Sequence, residues 1–596
     1  MFQSFEATGR PEQGPPRLAA LRAVVAREGL AGFWVPRADA HQGEYVAARD
    51  ARLEWLSGFS GSAGFCIVLP HIAGLFIDGR YRLQVRSQVA DDFTSVPWPE
   101  VKPGDWLKAQ LPQGGVVGYD PWLHSRDDLD KVVKALEGSG VTLRAVGNLV
   151  DGLWPDRPAS PQGRVRVHPE ALAGESSAAK RQGLAEILRA AGQTAAVITL
   201  PDSICWLLNI RGADLPKNPV VQAFAVQHGD GSVDLLVDAA KLNAEVRAHL
   251  GAEVRVLPPD GFAALLDGLA GPVRVDGGSA PLWVSERLGG RVSWGQDPCI
   301  LPKARKNPTE IEGMRAAHWR DGAAMVEFLA WLSAEAPKGV SEIGVVSALE
   351  GFRRVGNRLQ DIAFDTICGS GPNGAIIHYR VTEATDRAWT PGELMVVDSG
   401  GQYLDGTTDI TRTLVLGAAD ADQRACFTRV LQGMIAISRL RWPKGLAGRD
   451  LDGFARYNLW LAGQDYDHGT GHGVGAFLSV HEGPQGLSRR SEVALEAGMI
   501  VSNEPGYYRE GAFGIRIENL LVVQEAPALP GADARAMLSF ETLTWVPIER
   551  RLIVAEALSA GERAWLNDYH AEVRARLRDL LSPAAAIWLE AAAAPL

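Results

Sequence analysis

Cysteine is scarce: Cys66, Cys205, Cys299, Cys368 and Cys426 are the only five in 596 residues, odd in number, far apart and without a CxxC pair. That pattern is not a disulfide framework. It fits thiols kept reduced in a cytosol, each a small apolar core residue. Basic runs are missing too, none longer than pairs such as Arg489-Arg490. With 60 Lys+Arg against 71 Asp+Glu the net charge is −11, which repels polyanions, so no nucleic-acid partner is expected. The most apolar stretch, 64–77, is broken by Pro70 and His71 and falls short of the ~20 residues a membrane helix needs. The opening MFQSFEATGRPEQGPP has no basic start followed by an apolar run, so no secretory signal is expected. No N-x-Ser/Thr acceptor occurs, since Asn307 precedes Pro308. These absences together predict a soluble, cytoplasmic protein with no membrane association.

What is present has a repeat in it. Apolar residues at helical spacing (Leu18, Leu21, Val24, Val25) lead into the short run Gly32-Phe33-Trp34-Val35, and the same order returns with Leu184, Ile187 and Leu188 before Ala195-Ala196-Val197-Ile198. The recurrence extends from Trp55–Gly61 to Trp206–Gly212, from Leu75–Asp78 to Leu235–Asp238, and from Val116–Asp120 to Val273–Asp276. Helix and strand alternating at this spacing predict duplicated α/β domains with a mixed or mostly parallel sheet. Connectors rich in Pro, Gly and Ser at 155–163, and at 302–308 before a long amphipathic helix, place the domains at 1–160, 161–303 and 304–596. Thr309 is the expected N-cap of that helix.

The last domain concentrates the chemistry. The run 393–400 reads as a buried strand ending in Asp398, and 408–413 as an alternating strand carrying Asp409. Gly400-Gly401 and Asp405-Gly406 between them are hairpin signals. Two such strands bring the carboxylates side by side, a conflict that a cation resolves. His468-Gly469-Thr470-Gly471-His472-Gly473 sets histidines among glycines that permit close backbone approach. Asn503-Glu504-Pro505-Gly506 puts Glu504 before a turn, and Arg516 and Glu518 share one face of 514–519. Taken singly, Asp398 or Asp409 reads as a turn or strand-end residue, His472 as a core histidine and Glu504 as the start of a turn. The set is what carries the signal. Four carboxylates and one imidazole suit two divalent ions ~3.5–4 Å apart that generate a hydroxide nucleophile. Oxygen-rich ligation leans towards Mn²⁺, with Zn²⁺ or Co²⁺ open. Gly369-Ser370-Gly371-Pro372-Asn373-Gly374 matches GxGxxG formally, but Pro372 removes a backbone donor, and the stretch reads as a turn.

The motifs VVDSG, TTDITRT, HGTGHG, NEPGYY and GIRIEN resemble those of the pita-bread metallopeptidase family, which comprises aminopeptidase P, prolidase and methionine aminopeptidase. Within it AHQGEY, SGFSGSAG, DGRYRLQ and KNPTEIEGMR are similar to the long, three-domain cytosolic aminopeptidase P subgroup, and the likeness covers almost the whole chain. The resemblance implies two creatinase-type N-terminal domains followed by a pita-bread catalytic domain, in an α/β (α+β) protein. It implies metal ligation by Asp398, Asp409, His472, Glu504 and Glu518, with Asp409 and Glu518 bridging. It also implies substrate roles for His378, His468 and His481, a carboxylate-positioning role for Arg516, and proton transfer by Glu504. The activity implied is removal of the residue preceding a penultimate proline, by a homodimer. A prolidase restricted to Xaa-Pro dipeptides shares all five ligands and stays open. A peptide-binding module without catalysis and a metal-free creatinase-like enzyme are further alternatives, against which the intact ligand set argues.

Overall fold

The computed structural model describes residues 1–7 and 9–596. By internal contacts it divides into two compact units, one formed by residues 9–170 and Glu175–Ile300, the other by Met1–Ala7, Ala171–Gly174 and Leu301–Leu596.

The first unit contains the repeat. One six-stranded sheet has the order Phe93–Pro97, Ala73–Ile77, Phe65–Val68, Gly32–Pro36, Gly115–Tyr119, Val141–Ala145, and a second has the order Val254–Leu257, Val233–Leu236, Phe224–His228, Ala195–Ile198, Val273–Val275, Val292–Trp294. Position for position, the two share one pattern of parallel and antiparallel neighbours. The segments that recur in sequence fall on equivalent elements. Trp55 and Trp206 lie on the helices Arg52–Ser57 and Pro201–Leu207. Asp78 and Asp238 each cap a 3-10 turn by accepting from the backbone N–H two residues on. Each sheet is mixed because its second and third strands in chain order, Phe65–Val68 with Ala73–Ile77 and Phe224–His228 with Val233–Leu236, form an antiparallel hairpin, while the later strands arrive parallel to a neighbour through helical crossovers.

The second unit opens with a 28-residue helix, Pro308–Glu335. Its N-cap is Asn307, not Thr309: Asn307 Oδ1 accepts from Glu310 N at 3.0 Å while Asn307 N donates to Glu310 Oε2 at 3.0 Å. Proline at the first helical position moves the boundary, because its fixed φ is already helical and its missing N–H is not needed there. Met325, Phe328, Leu329 and Leu332 of this helix enter the core beside Met395 and Val397, each such side chain contributing about 1.5–3 kcal/mol by burial.

Three sheets frame the chemistry of this unit: a three-stranded one (Ile367–Ser370, Leu394–Ser399, Ile410–Val415), a hairpin (Gly506–Arg509 with Phe513–Arg516), and a six-stranded one. The six-stranded sheet includes Gly471–Gly473, Glu482–Leu487, Ile500–Asn503 and Asn519–Glu525. The expected hairpin between Asp398 and Asp409 is elaborated. The strands pair antiparallel, Asp398 opposite Thr411, while the intervening chain forms Gly401–Tyr403 and Gly406–Thr407 and joins Leu359–Ile362 in a separate sheet. The GxGxxG stretch ends a strand and becomes a 3-10 turn over Gly371–Ala375. All five cysteines are buried and none forms a disulfide. Among the described residues no helix is long and apolar enough to cross a membrane.

Candidate metal centre

Five acids and bases that are distant in sequence meet where these sheets converge. Asp398 is the penultimate residue of the strand Leu394–Ser399, and Asp409 sits one residue before the strand Ile410–Val415. His472 lies at the centre of Gly471–Gly473, and the flanking glycines are sterically required. A Cβ on Gly471 would stand 1.9 Å from the Ser502 carbonyl oxygen, and one on Gly473 2.1 Å from that of Glu482. Glu504 follows Ile500–Asn503, its backbone N–H donating to Thr470 O at 2.7 Å, and Glu518 N donates to Thr411 O at 3.1 Å.

The side chains divide their lone pairs in a consistent way. Asp398 Oδ2 receives two N–H groups from Arg516, Nη2 at 2.7 Å and Nε at 3.2 Å. Glu518 Oε2 accepts from Thr411 Oγ1 at 2.8 Å, and Glu504 Oε1 accepts from Ser502 Oγ at 3.1 Å. The oxygens left over, Asp398 Oδ1, Asp409 Oδ1 and Glu518 Oε1, are buried without any hydrogen-bond partner. Buried unpaired anionic oxygens are costly; three together on separate carboxylates make a donor set suited to a divalent cation. His472 completes it. Its Nδ1 donates to Gly473 O at 2.9 Å, which turns Nε2 towards the carboxylates, 3.5 Å from Asp409 Oδ2 and 3.4 Å from Glu504 Oε1. Ligand atoms of Asp409, His472 and Glu518 all lie within 4.8 Å of one another.

The protonation equilibria reflect the crowding. Burial pushes Glu504 up to about 7 against the pull of His472 and Arg516, and burial with the charges of Asp409 and Glu504 holds Glu518 well above the carboxylate range. Asp398 is raised by burial despite Arg516. Burial opposes charge on His472, but its hydrogen bond to Asp409 and the charge of Glu504 outweigh that and push it up to about 9.

Of the remaining sequence candidates, His481 packs its ring against that of His472, centroids 4.3 Å apart and planes at 79°. His468 is joined to the centre through hydrogen bonds. Its Nδ1 donates to Gly469 O at 2.7 Å, so Nε2 accepts from Tyr508 Oη at 2.9 Å, and that hydroxyl in turn receives Arg516 Nη1 at 2.6 Å. Arg516 is 1% exposed, so its pairing with Asp398 is shielded from water. His378 is half-buried just beyond the Gly371–Ala375 turn. That turn approaches the Arg516 strand so closely that a Cβ on Gly514 would stand 1.7 Å from Gly374 O.

Several supporting residues were not singled out in the sequence. Thr411, Ser502 and Tyr508 make the bonds just described. Arg412 is fully buried and donates to Glu518 O at 2.6 Å, Val546 O at 2.7 Å, Asn519 Oδ1 at 2.9 Å and Tyr569 Oη at 3.0 Å. It fastens the strand after Asp409 to the backbone of Glu518. The available signal was an arginine in the middle of an otherwise buried strand, ITRTLV.

Comparison with known proteins accords with this architecture. Residues 312–525 match the model of metallopeptidase family M24 and 536–596 that of its C-terminal region, while 17–153 and 156–310 each match a creatinase/prolidase N-terminal domain. A probable Xaa-Pro aminopeptidase P of Talaromyces marneffei is 40% identical over 585 residues, 94% of this chain and 88% of that one. Its counterpart in Aspergillus niger is 40% identical over 588 residues, 94% of each. The crystal structure of X-prolyl aminopeptidase from Caenorhabditis elegans, described as a cytosolic enzyme with a di-nuclear active site, matches with a TM-score of 0.93 at 33% identity, covering 98% of this chain and 99% of that one. With its two creatinase-type domains followed in sequence by the catalytic domain, the chain belongs to metallopeptidase family M24.

Proposed function

We propose that this protein is a metalloaminopeptidase that hydrolyses the bond between an N-terminal residue and a penultimate proline, with two divalent ions held by Asp398, Asp409, His472, Glu504 and Glu518. The observation that carries the ligand set is the three orphaned carboxylate oxygens, on Asp398, Asp409 and Glu518, side chains close enough for their charges to act on one another. Manganese is the ion that such an oxygen-rich set favours. Bound ions supply a water-derived nucleophile at neutral pH and polarise the scissile carbonyl.

The protein's own contributions follow from the geometry. Glu504, whose proton affinity lies near neutrality, accepts a proton from the attacking water and returns it to the departing proline nitrogen. His481, against the His472 ring, donates to the developing tetrahedral oxygen, and His378 is assigned the same task. Arg516 holds Asp398 by one oxygen and leaves the other without a protein partner, and Tyr508, itself bonded to His468, holds Arg516. Proline at the second position lacks an N–H and fixes the backbone, so a site shaped to its kink selects it. Domain boundaries near 160 and 303 and residence in the cytosol belong to the same reading.

The test is hydrolysis of an Arg-Pro-Pro tripeptide by protein stripped with chelator and reloaded with Mn²⁺, Zn²⁺ or Co²⁺. Release of arginine restored by metal is expected. No release with any of them, from folded protein, would overturn the assignment, and cleavage of Xaa-Pro dipeptides alone would move it to prolidase.

The homodimer has a candidate surface. On the helix Gly448–Trp460 and just beyond it, Phe454, Tyr457, Trp460 and Leu461 are 50%, 58%, 45% and 71% exposed, and Phe454, Tyr457 and Leu461 recur at the spacing of one helix face. A cluster of this size and aromatic content is what an isologous interface buries. Sedimentation of a Phe454→Glu, Leu461→Glu double variant is expected to show monomer where the wild type shows dimer. An unchanged dimer would place the interface elsewhere.

A further inference from the structure

Beside the metal centre lies a second, dry cluster of charge. Glu482 Oε2 is 3.2 Å from Lys303 Nζ, and Oε1 contacts Lys306 Nζ; the three side chains are 0%, 2% and 1% exposed in that order. Removing three charges from water costs several kcal/mol per ion, and only a partner in good geometry recovers it. One lysine is enough to neutralise the carboxylate. What the second lysine does add is geometric, because an ammonium on each oxygen stops the carboxylate from turning.

Both lysines are firmly mounted. Lys303 belongs to the short helix Ile300–Ala304, and Lys306 N donates to Gly498 O at 3.0 Å immediately before the capping box at Asn307. Glu482 in turn begins the strand Glu482–Leu487, where it pairs with Gly473, the residue after His472. The loop between them is wrapped on the same carboxylate, since a Cβ on Gly475 would lie 2.9 Å from Glu482 Oε2. The residue before Glu482 is His481, whose ring meets His472 at 4.3 Å.

We propose that Glu482, bonded at one oxygen by Lys306 and flanked at the other by the Lys303 ammonium, is a positioning residue for peptide hydrolysis: it sets the backbone from which His481 reaches the metal centre. The inference rests on the role given to His481 above. Neither lysine acts on substrate, since both are buried against the same carboxylate.

The test pairs Glu482→Gln with His481→Ala. In the wild-type background Glu482→Gln is expected to lower kcat for the Arg-Pro-Pro tripeptide about 10–100-fold, with KM little changed and the Mn²⁺ content of the purified protein unaltered. In the His481→Ala background it should cause no further loss, because the group it positions is gone. Additive losses, a loss that follows metal content, or no loss at all would each overturn the proposal. If Glu482→Gln does not fold, Lys303→Met removes the ammonium beside Oε2 and leaves Lys306 on Oε1; the same non-additivity with His481→Ala is expected. A fully active His481→Ala overturns this inference together with that histidine's role, whereas a wild-type protein that cannot cleave the tripeptide overturns the functional reading itself.

Discussion

Asp409→Ala is expected to reduce hydrolysis of an Xaa-Pro-Xaa peptide by on the order of 10³-fold or more, without destabilising the metal-free protein. Asp409 has one oxygen with no protein partner and the other 3.5 Å from His472, so its removal breaks no hydrogen bond outside the ligand set itself. It also takes one negative charge away from Asp398, Glu504 and Glu518, whose proton affinities its charge helps to raise. A structural aspartate would behave in the opposite way, since its loss would lower the melting temperature whether or not metal were present. The measurements are kcat/KM in Mn²⁺, metal content of the purified variant, and melting temperature with and without chelator. Turnover near the wild-type rate would remove Asp409 from the ligand set. A melting temperature that falls equally with and without chelator would make its role architectural. Glu504→Ala should match the loss of turnover and add a proton-transfer defect, because that side chain is the only one of the five assigned a second task.

Much of this was legible because the relevant information is local. Each proposed ligand sits in its own short motif, in which glycine, proline or a strand end marks a special backbone position, and the close approaches at Gly471 and Gly473 give the physical reason for the HGTGHG pattern. The duplication was legible because matching strands carry matching apolar runs, and the two sheets share one order. What joins the motifs was not. Arg412 reaches residues more than a hundred positions away, and Lys303 and Lys306 meet Glu482 across a similar distance; side-chain pairing at that range leaves no trace in periodicity. The helix start was misplaced for a different reason. Thr309 and Asn307 are both competent caps, and the choice depends on Glu310 reaching back to the Asn307 N–H, a contact that propensity alone does not rank. The short segments Met1–Ala7 and Ala171–Gly174 join the second unit through tertiary contacts, such as the donation from Asn307 Nδ2 to Ala173 O at 2.7 Å, and composition gives no warning of that.

The stripped protein should lose stability as pH rises, and metal should reverse the trend. Glu504 has its folded pKa raised from 4.5 to about 7, so the native state holds that proton more tightly than the unfolded chain does. The stability this contributes is full below about 4.5 and is lost as pH climbs through about 7. His472, raised from 6.5 to about 9, contributes stability that is full below about 6.5 and is lost as pH climbs through about 9. Both slopes have the same sign. The two groups face each other at 3.4 Å and titrate as one coupled pair, for which a loss on the order of 3 kcal/mol between pH 5 and pH 9 is expected. Ions occupy the place of those protons, so their affinity grows as the ligands deprotonate, and the stabilisation they confer should widen over the same interval. Melting temperatures of chelator-treated and Mn²⁺-loaded protein, taken in parallel from pH 5 to pH 9, isolate the effect, because every titrating group outside the centre contributes equally to both curves. Divergence of the curves with rising pH is the expected result. Parallel curves would mean that the carboxylates and His472 do not exchange protons for metal, and the ligand assignment would fall with that result.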